Sequence, residues 1–172
     1  MSMMIVGVMG PGEGATEEEM RLAYDLGKEI ASQGWVLLTG GRNVGVMDAA
    51  SRGARAGHGI VVGILPGTDV EGMSGAVDIP VITGMHEARN SINVLSGRVL
   101  FFVGMSAGTA SELALAVKSR RPAILMCQPE EVFRFFAAMS FTRLGTAADA
   151  VSAIELAKGM LAADPNPPAR ES

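Results

Sequence analysis

The chain is poor in sulfhydryl chemistry, with one cysteine, Cys127, in 172 residues. Neither an intrachain disulfide nor a cysteine-cluster metal site can be built from it. Cys127 closes an apolar run, where a buried, inert thiol is expected. Only two histidines occur, His58 and His86, on different segments and without an acidic partner at ligand spacing, so no metal site is expected. Positive charge is also short: 14 Lys and Arg against 18 Asp and Glu leave a formal net charge of −4. A general nucleic-acid binder needs a basic face to displace counterions from phosphates, so that class is not expected. A few local cations are still enough for one small phosphorylated ligand. No apolar run approaches the ~20 residues that span a bilayer, and Met1-Ser2-Met3-Met4 lacks the basic region of a signal peptide. The expectation is a cytoplasmic protein with no membrane partner.

What is abundant is glycine, at 22 residues, within a composition that is 48% apolar and 19% charged. The apolar residues fall into short continuous runs: Met4–Met9, Trp35–Thr39, Ile60–Leu65, Ile79–Ile82, Arg98–Val103 and Pro122–Cys127. Continuous rather than alternating runs mark strands covered on both faces. Helices are predicted between them. One follows the Thr16-x-x-Glu19 capping box and stops at Gly34, a second runs from Val46 to Ala56, and a third from Glu87 to Leu95. A fourth opens at Thr109-Ala-Ser-Glu112 and runs to Arg120, Pro129–Met139 reads as helix or bent loop, and Thr146–Ala162 as a terminal helix with a Thr-x-x-Asp start. Thr68–Ala76 reads as a mobile loop. This order predicts an α/β fold, three-layer and Rossmann-like, with a mostly parallel sheet and helices on both faces. Residues 1–163 read as a single domain and 164–172 as a flexible tail.

Three of the strands end in glycine-rich turns that open helices. The turns are Gly10-Pro-Gly12-Glu-Gly14, Gly40-Gly41-Arg42-Asn43-Val-Gly45 and Gly104-Met-Ser106-Ala107-Gly108-Thr109. In an open parallel sheet such turns share the carboxyl edge, where ligands bind. A helix start there offers unpaired N–H groups and a partial positive charge that favour phosphate. None of the turns fits Gly-x-Gly-x-x-Gly in register, and no Gly-Lys-Ser/Thr is present, so ordinary dinucleotide binding and ATP hydrolysis are not expected. Arg42 lies inside the second turn. Arg89, Asn90 and Asn93 fall on one side of the third helix and are placed to share a pocket, or else to form a solvated helix end; an arginine suits bidentate phosphate contact. Glu112 has two readings, a helix-capping carboxylate or a group facing the pocket. Ser106 lacks the Gly-x-Ser-x-Gly elbow of a serine hydrolase.

Three segments together carry a family resemblance: Thr39-Gly-Gly-Arg-Asn-Val-Gly-Val-Met47, Met85-His-Glu-Ala-Arg-Asn90 and Gly104-Met-Ser-Ala-Gly-Thr-Ala-Ser-Glu112. They resemble the Lonely Guy superfamily of Rossmann-like proteins, long labelled lysine-decarboxylase-like. The match is closer to its molybdenum-cofactor carrier branch, on Ala88–Leu95, Ser111–Ala116 and Val62–Gly67. The resemblance implies a homodimer or homotetramer that binds a phosphorylated nucleotide-like molecule, either molybdenum cofactor or a nucleotide, with no cofactor required. The phosphoribohydrolase members cleave the N-glycosidic bond of nucleoside 5′-monophosphates, such as AMP or a cytokinin precursor, using a Pro-Gly-Gly-x-Gly-Thr-x-x-Glu motif and an arginine. The resemblance places Glu112 and Arg89 on those catalytic positions, and Gly108 and Thr109 on the phosphate-binding Gly-Thr. Gly104-Met105-Ser106 replaces Pro-Gly-Gly, and Asn90 stands where the family has lysine. The first change puts bulk where a phosphate should approach and the second removes a cation, so binding is favoured over hydrolysis.

Overall fold

The computed structural model describes residues 3–139 and 143–163. Its strands are β1 (Ile5–Met9), β2 (Val36–Thr39), β3 (Val61–Leu65), β4 (Ile79–Ile82), β5 (Leu100–Val103), β6 (Ala123–Met126) and β7 (Leu144–Thr146). The helices are α1 (Glu17–Ser32), α2 (Gly45–Ala56), α3 (Asn90–Ser96), α4 (Ala107–Lys118), α5 (Glu130–Met139) and α6 (Ala150–Ala162), with a 3-10 turn at His86–Arg89 leading into α3. The strands form one sheet in the order β4-β3-β2-β1-β5-β6-β7, with every neighbouring pair parallel. Helices α1, α2 and α6 pack on one face and α3, α4 and α5 on the other. The fold is therefore the three-layer Rossmann-like α/β arrangement expected from the runs.

Each face has its own core. Val6, Val8, Leu37, Phe101 and Ile124 point toward α1, α2 and α6. Met9, Leu38, Leu100, Phe102 and Leu125 point toward α3, α4 and α5. The central strands β1, β2, β5 and β6 bury both faces at once, which is why their sequences are apolar at consecutive positions. Strand β4, at one edge, is exposed along its whole length. Its Pro80 is tolerated because an edge strand needs no donor on its open side.

Four local expectations are corrected. Helix α4 begins at Ala107, with Ser106 as its cap, two residues before the Thr109 start read from sequence. Ser106 sits in extended backbone and its Oγ accepts from Thr109 N–H at 3.2 Å, so Thr109 is already in the first turn and Glu112 in the second. The terminal helix begins at Ala150, not Thr146. Thr146 ends β7, a strand missed because Leu144-Gly-Thr146 is short and only half-buried, and Asp149 and Ser152 form the capping box. Segment 68–76, read as mobile, is tethered. Ser74 is fully buried, its N–H donates to Gly41 O (2.9 Å), its hydroxyl donates to Asp48 Oδ1 (2.7 Å), and Arg55 Nη1 donates to Gly75 O (2.7 Å). Cys127 is exposed, not buried, because the chain turns out of the sheet there with a left-handed φ of 55°. Its thiol is pushed up by partial desolvation and by the nearby Glu18 and Glu19. The tail expected at 164–172 lies outside the described residues.

Candidate functional site: a cleft at the carboxyl edge of the sheet

From β1 the chain builds outward through β2, β3 and β4, then crosses back to place β5 on the other side of β1. The turns after β1 and β5 consequently leave the sheet in opposite directions and open a crevice between them. A cleft of about 430 Å³ occupies this position, within the ordinary range of small-molecule sites. From the β1 turn it is lined by Gly10, Gly12 and Glu13, from the β2 turn by Gly40 and Arg42, and from the turn into α3 by Arg89, Asn90 and Asn93. The start of α4 contributes Ser106, Gly108, Thr109 and Glu112. Met9, Met47 and Pro66 supply apolar wall.

Arg89 is 8% exposed and spans the floor. Its Nη1 donates to Ile64 O at 2.6 Å and Gly40 O at 3.1 Å, the carbonyls at the ends of β3 and β2. Only glycine at position 40 permits this, since a Cβ there would lie 2.6 Å from Nη1. Among the described residues, Nε of Arg89 has no hydrogen-bond partner. Burial pulls the guanidinium down from its usual value, with the charge of Glu112 opposing this. An arginine stays charged regardless. Two of its donor directions are thus committed to backbone, while the cation itself faces the cleft.

Glu112 is also 8% exposed. Asn93, itself 1% exposed, donates from Nδ2 to Glu112 Oε1 at 2.9 Å. Burial pushes the Glu112 carboxyl up, and the Asn93 hydrogen bond and the Arg89 charge offset this only in part. Of the two readings of Glu112, the capping carboxylate is excluded: Ser106 caps α4, and Glu112 faces Asn93 and the cleft. The first N–H groups of α4 have no intrahelical acceptor and carry the positive end of the helix dipole. Ser106 Oγ and Thr109 Oγ1 lie 2.9 Å apart beside them. Together these groups make a donor-rich corner fit for one anion.

Not every glycine-turn residue reaches the cleft. Gly41 turns against Gly63, Gly45 against the backbone of Pro11 and Gly12, and Asn43 donates its N–H to Gly72 O at 2.8 Å. Gly104, at φ 71°, is covered by Glu19, whose Oε1 would lie 2.1 Å from a Cβ there. Neither Gly104 nor Ala107 is on the cleft wall. The bulk expected of Met105 is absent from the cleft, because its half-buried side chain packs against the core on the α3, α4 and α5 face. Asn90, which stands where the resemblance puts a lysine, donates to Ser111 Oγ at 3.2 Å. Sequence reasoning missed Val8, Met9, Glu13, Met47, Pro66, His86 and Glu87 as lining residues. His86 and Glu87 are adjacent to Arg89, which was the available signal. Arg42 Nη2 lies 3.8 Å from Glu13 Oε1 across the mouth, an exposed pair of little energetic weight. Among the described residues, no three His, Cys, Asp or Glu side chains are grouped to hold a metal ion.

Fold and cleft define a Rossmann-like protein whose cleft, at the switch point of a parallel sheet, is lined by a helix start and a buried arginine. The chain belongs to the SLOG cluster4 family, whose model matches residues 3–160. It is similar over its length to the molybdenum cofactor binding protein of Rippkaea orientalis (48% identity, 92% of this chain and 98% of that one, TM-score 0.90). It is also similar to the molybdenum cofactor carrier protein of Chlamydomonas reinhardtii (46% identity, 94% and 99%, TM-score 0.88). A shorter match, 45% identical over 49 residues, covers 28% of this chain and 26% of a cytokinin riboside 5′-monophosphate phosphoribohydrolase of Mycobacterium marinum. The resemblance to the molybdenum-cofactor carrier branch of the Lonely Guy superfamily thus extends over nearly the whole chain.

Proposed function

We propose that this protein binds a phosphorylated, nucleotide-like small molecule in the cleft, with molybdenum cofactor as its cargo, and holds it without transforming it. The observation that carries the reading is the pairing of a donor-rich α4 corner with a buried Arg89 in one cleft. It is supported by the names of the two full-length structural relatives. The residues fit such a cargo. The corner of Ser106, Gly108 and Thr109 receives the phosphate, Arg89 supplies the counter-charge, and the wall of Met9, Met47 and Pro66 takes a planar ring. The test is to mix the protein with molybdenum cofactor, desalt, oxidise, and count pterin by fluorescence. About one per chain is expected, and retention no better than with serum albumin would sink the proposal.

A phosphoribohydrolase is the second reading, favoured by the short match and by the carboxyl of Glu112 in the cleft. Cleaving an N-glycosidic bond builds oxocarbenium character that an ionised carboxylate would stabilise. Glu112 is poorly prepared for that task, since burial favours its neutral form and the Asn93 hydrogen bond and the Arg89 charge offset this only in part. Ribose 5-phosphate released from AMP by the wild type, and not by Glu112→Gln, would establish hydrolysis over carriage.

We read the protein as a homo-oligomer, on the strength of an uncovered apolar edge. Ile79 (50% exposed), Val81 (39%) and Ile82 (48%) on β4, with Met85 (45%) just after it, lie open to solvent. An apolar edge strand of this kind invites a partner.

A further inference from the structure

His86 is the one cleft-lining residue held in a left-handed conformation without being glycine, with φ 48°. The other non-glycine residues with positive φ among those described, His58, Arg120 and Cys127, are not on the cleft wall. A side chain in this region costs on the order of 1 kcal/mol or more and persists only where the surroundings leave the backbone no alternative. Here they do so through a ladder of hydrogen bonds. Thr83 N–H and Oγ1–H both donate to Leu65 O (3.2 and 2.7 Å), Gly84 N–H to Gly67 O (2.8 Å), His86 N–H to Pro66 O (3.0 Å), and Met85 N–H to Thr83 Oγ1 (3.2 Å). That ladder needs the conformation and not the imidazole, because every bond in it is made by backbone or by Thr83. Glycine would satisfy it at no steric cost, and the chain does place glycine in the left-handed region two residues earlier, at Gly84 (φ 62°). Nor does packing explain the side chain, which is exposed.

We infer that His86 is a ligand-contacting residue, kept at a strained position so that its imidazole N–H can meet an anionic group of the molecule in the cleft. This rests on the reading of the cleft as a site for a phosphorylated ligand. It adds a donor to the wall that Pro66, Glu87, Arg89 and the α4 corner also line. A ligand gripped by both His86 and that corner would be anionic or strongly accepting where it meets each of them, while Glu87 and Glu13, also on the wall, disfavour excess negative charge elsewhere.

Two readouts test it. With only two histidines in the chain, the imidazole resonances of His86 and His58 can be assigned by substituting either one. Inorganic phosphate titrated into the wild type should move the His86 resonance and leave that of His58, which is outside the cleft, in place. In parallel, His86→Gly should melt at or above the wild-type temperature yet retain molybdenum cofactor at least fivefold less tightly. A His86 resonance that ignores phosphate, together with wild-type retention in His86→Gly, would overturn the inference while leaving the carrier reading intact. Should the wild type retain no cofactor, the carrier reading falls and the phosphate titration alone decides: movement supports the role of His86, and no movement ends it.

Discussion

Arg89 and Glu112 are opposite charges buried near one another, and each is held by different partners. Arg89→Ala would leave the carbonyls of Ile64 and Gly40 without their donor and Glu112 without its counter-charge. A loss of about 2–4 kcal/mol in denaturant unfolding is expected, along with loss of ligand retention. Arg89→Lys should recover little of either, since a point ammonium cannot reproduce a planar fork of donors. Glu112 predicts a pH effect. Its carboxyl is raised in the folded state, so the folded form holds the proton more tightly than the unfolded one. The stability this brings is full at acid pH and is lost as pH rises through the raised value. Glu112→Gln should remove that dependence and gain on the wild type as pH climbs from the ordinary glutamate range toward neutrality. Unfolding curves across that range check it, and parallel pH profiles for the two proteins would contradict it. Arg89, Asn90 and Asn93 were legible as a cluster because one helix face carries them. The attachment of Arg89 to two strand ends was not legible, since Gly40 and Ile64 are 49 and 25 residues away.

At the scale of elements, two helix caps offer a controlled comparison. Thr16 caps α1 through a full capping box with Glu19, and Ser106 caps α4 at the cleft. Thr16→Ala and Ser106→Ala should each cost about 1 kcal/mol. Only Ser106→Ala should also weaken ligand retention, because only that hydroxyl lines the site. Equal retention in both variants would show that the α4 corner does not receive the phosphate. The α4 cap also shows how local pattern misleads. Ser106-Ala-Gly-Thr109 and Thr109-Ala-Ser-Glu112 are overlapping cap-like frames, and local spacing does not choose between them. The backbone chooses, with Ser106 extended at φ −139° and ψ 174° on leaving β5. Segment 68–76 was misread for a related reason. Its glycines and polar residues look like a free loop, yet Ser74 finds Asp48 26 positions back.

For the molecule as a whole, the open side of β4 is the feature least like a finished surface. Val81→Lys puts a charge on an already exposed position, so a folded chain of nearly unchanged melting temperature is expected. Sedimentation should show the wild type as an oligomer and Val81→Lys shifted toward monomer. An oligomer that survives the substitution would place the interface elsewhere, and a monomeric wild type would end the self-association reading. By itself the amino-acid sequence determined the order of the first six strands and the helices between β1 and β5 and after β5, the parallel three-layer architecture and the three glycine turns. These follow from short-range periodicity and from the steric freedom of glycine, which neighbours in the chain are enough to specify. Only the tertiary structure decided which turns face the cleft, that Glu112 lies there with its carboxyl pushed up by burial, that Met105 packs away from it, and that His86 is strained at its wall. Those facts depend on desolvation and on contacts between residues far apart in the chain, and no local pattern encodes either.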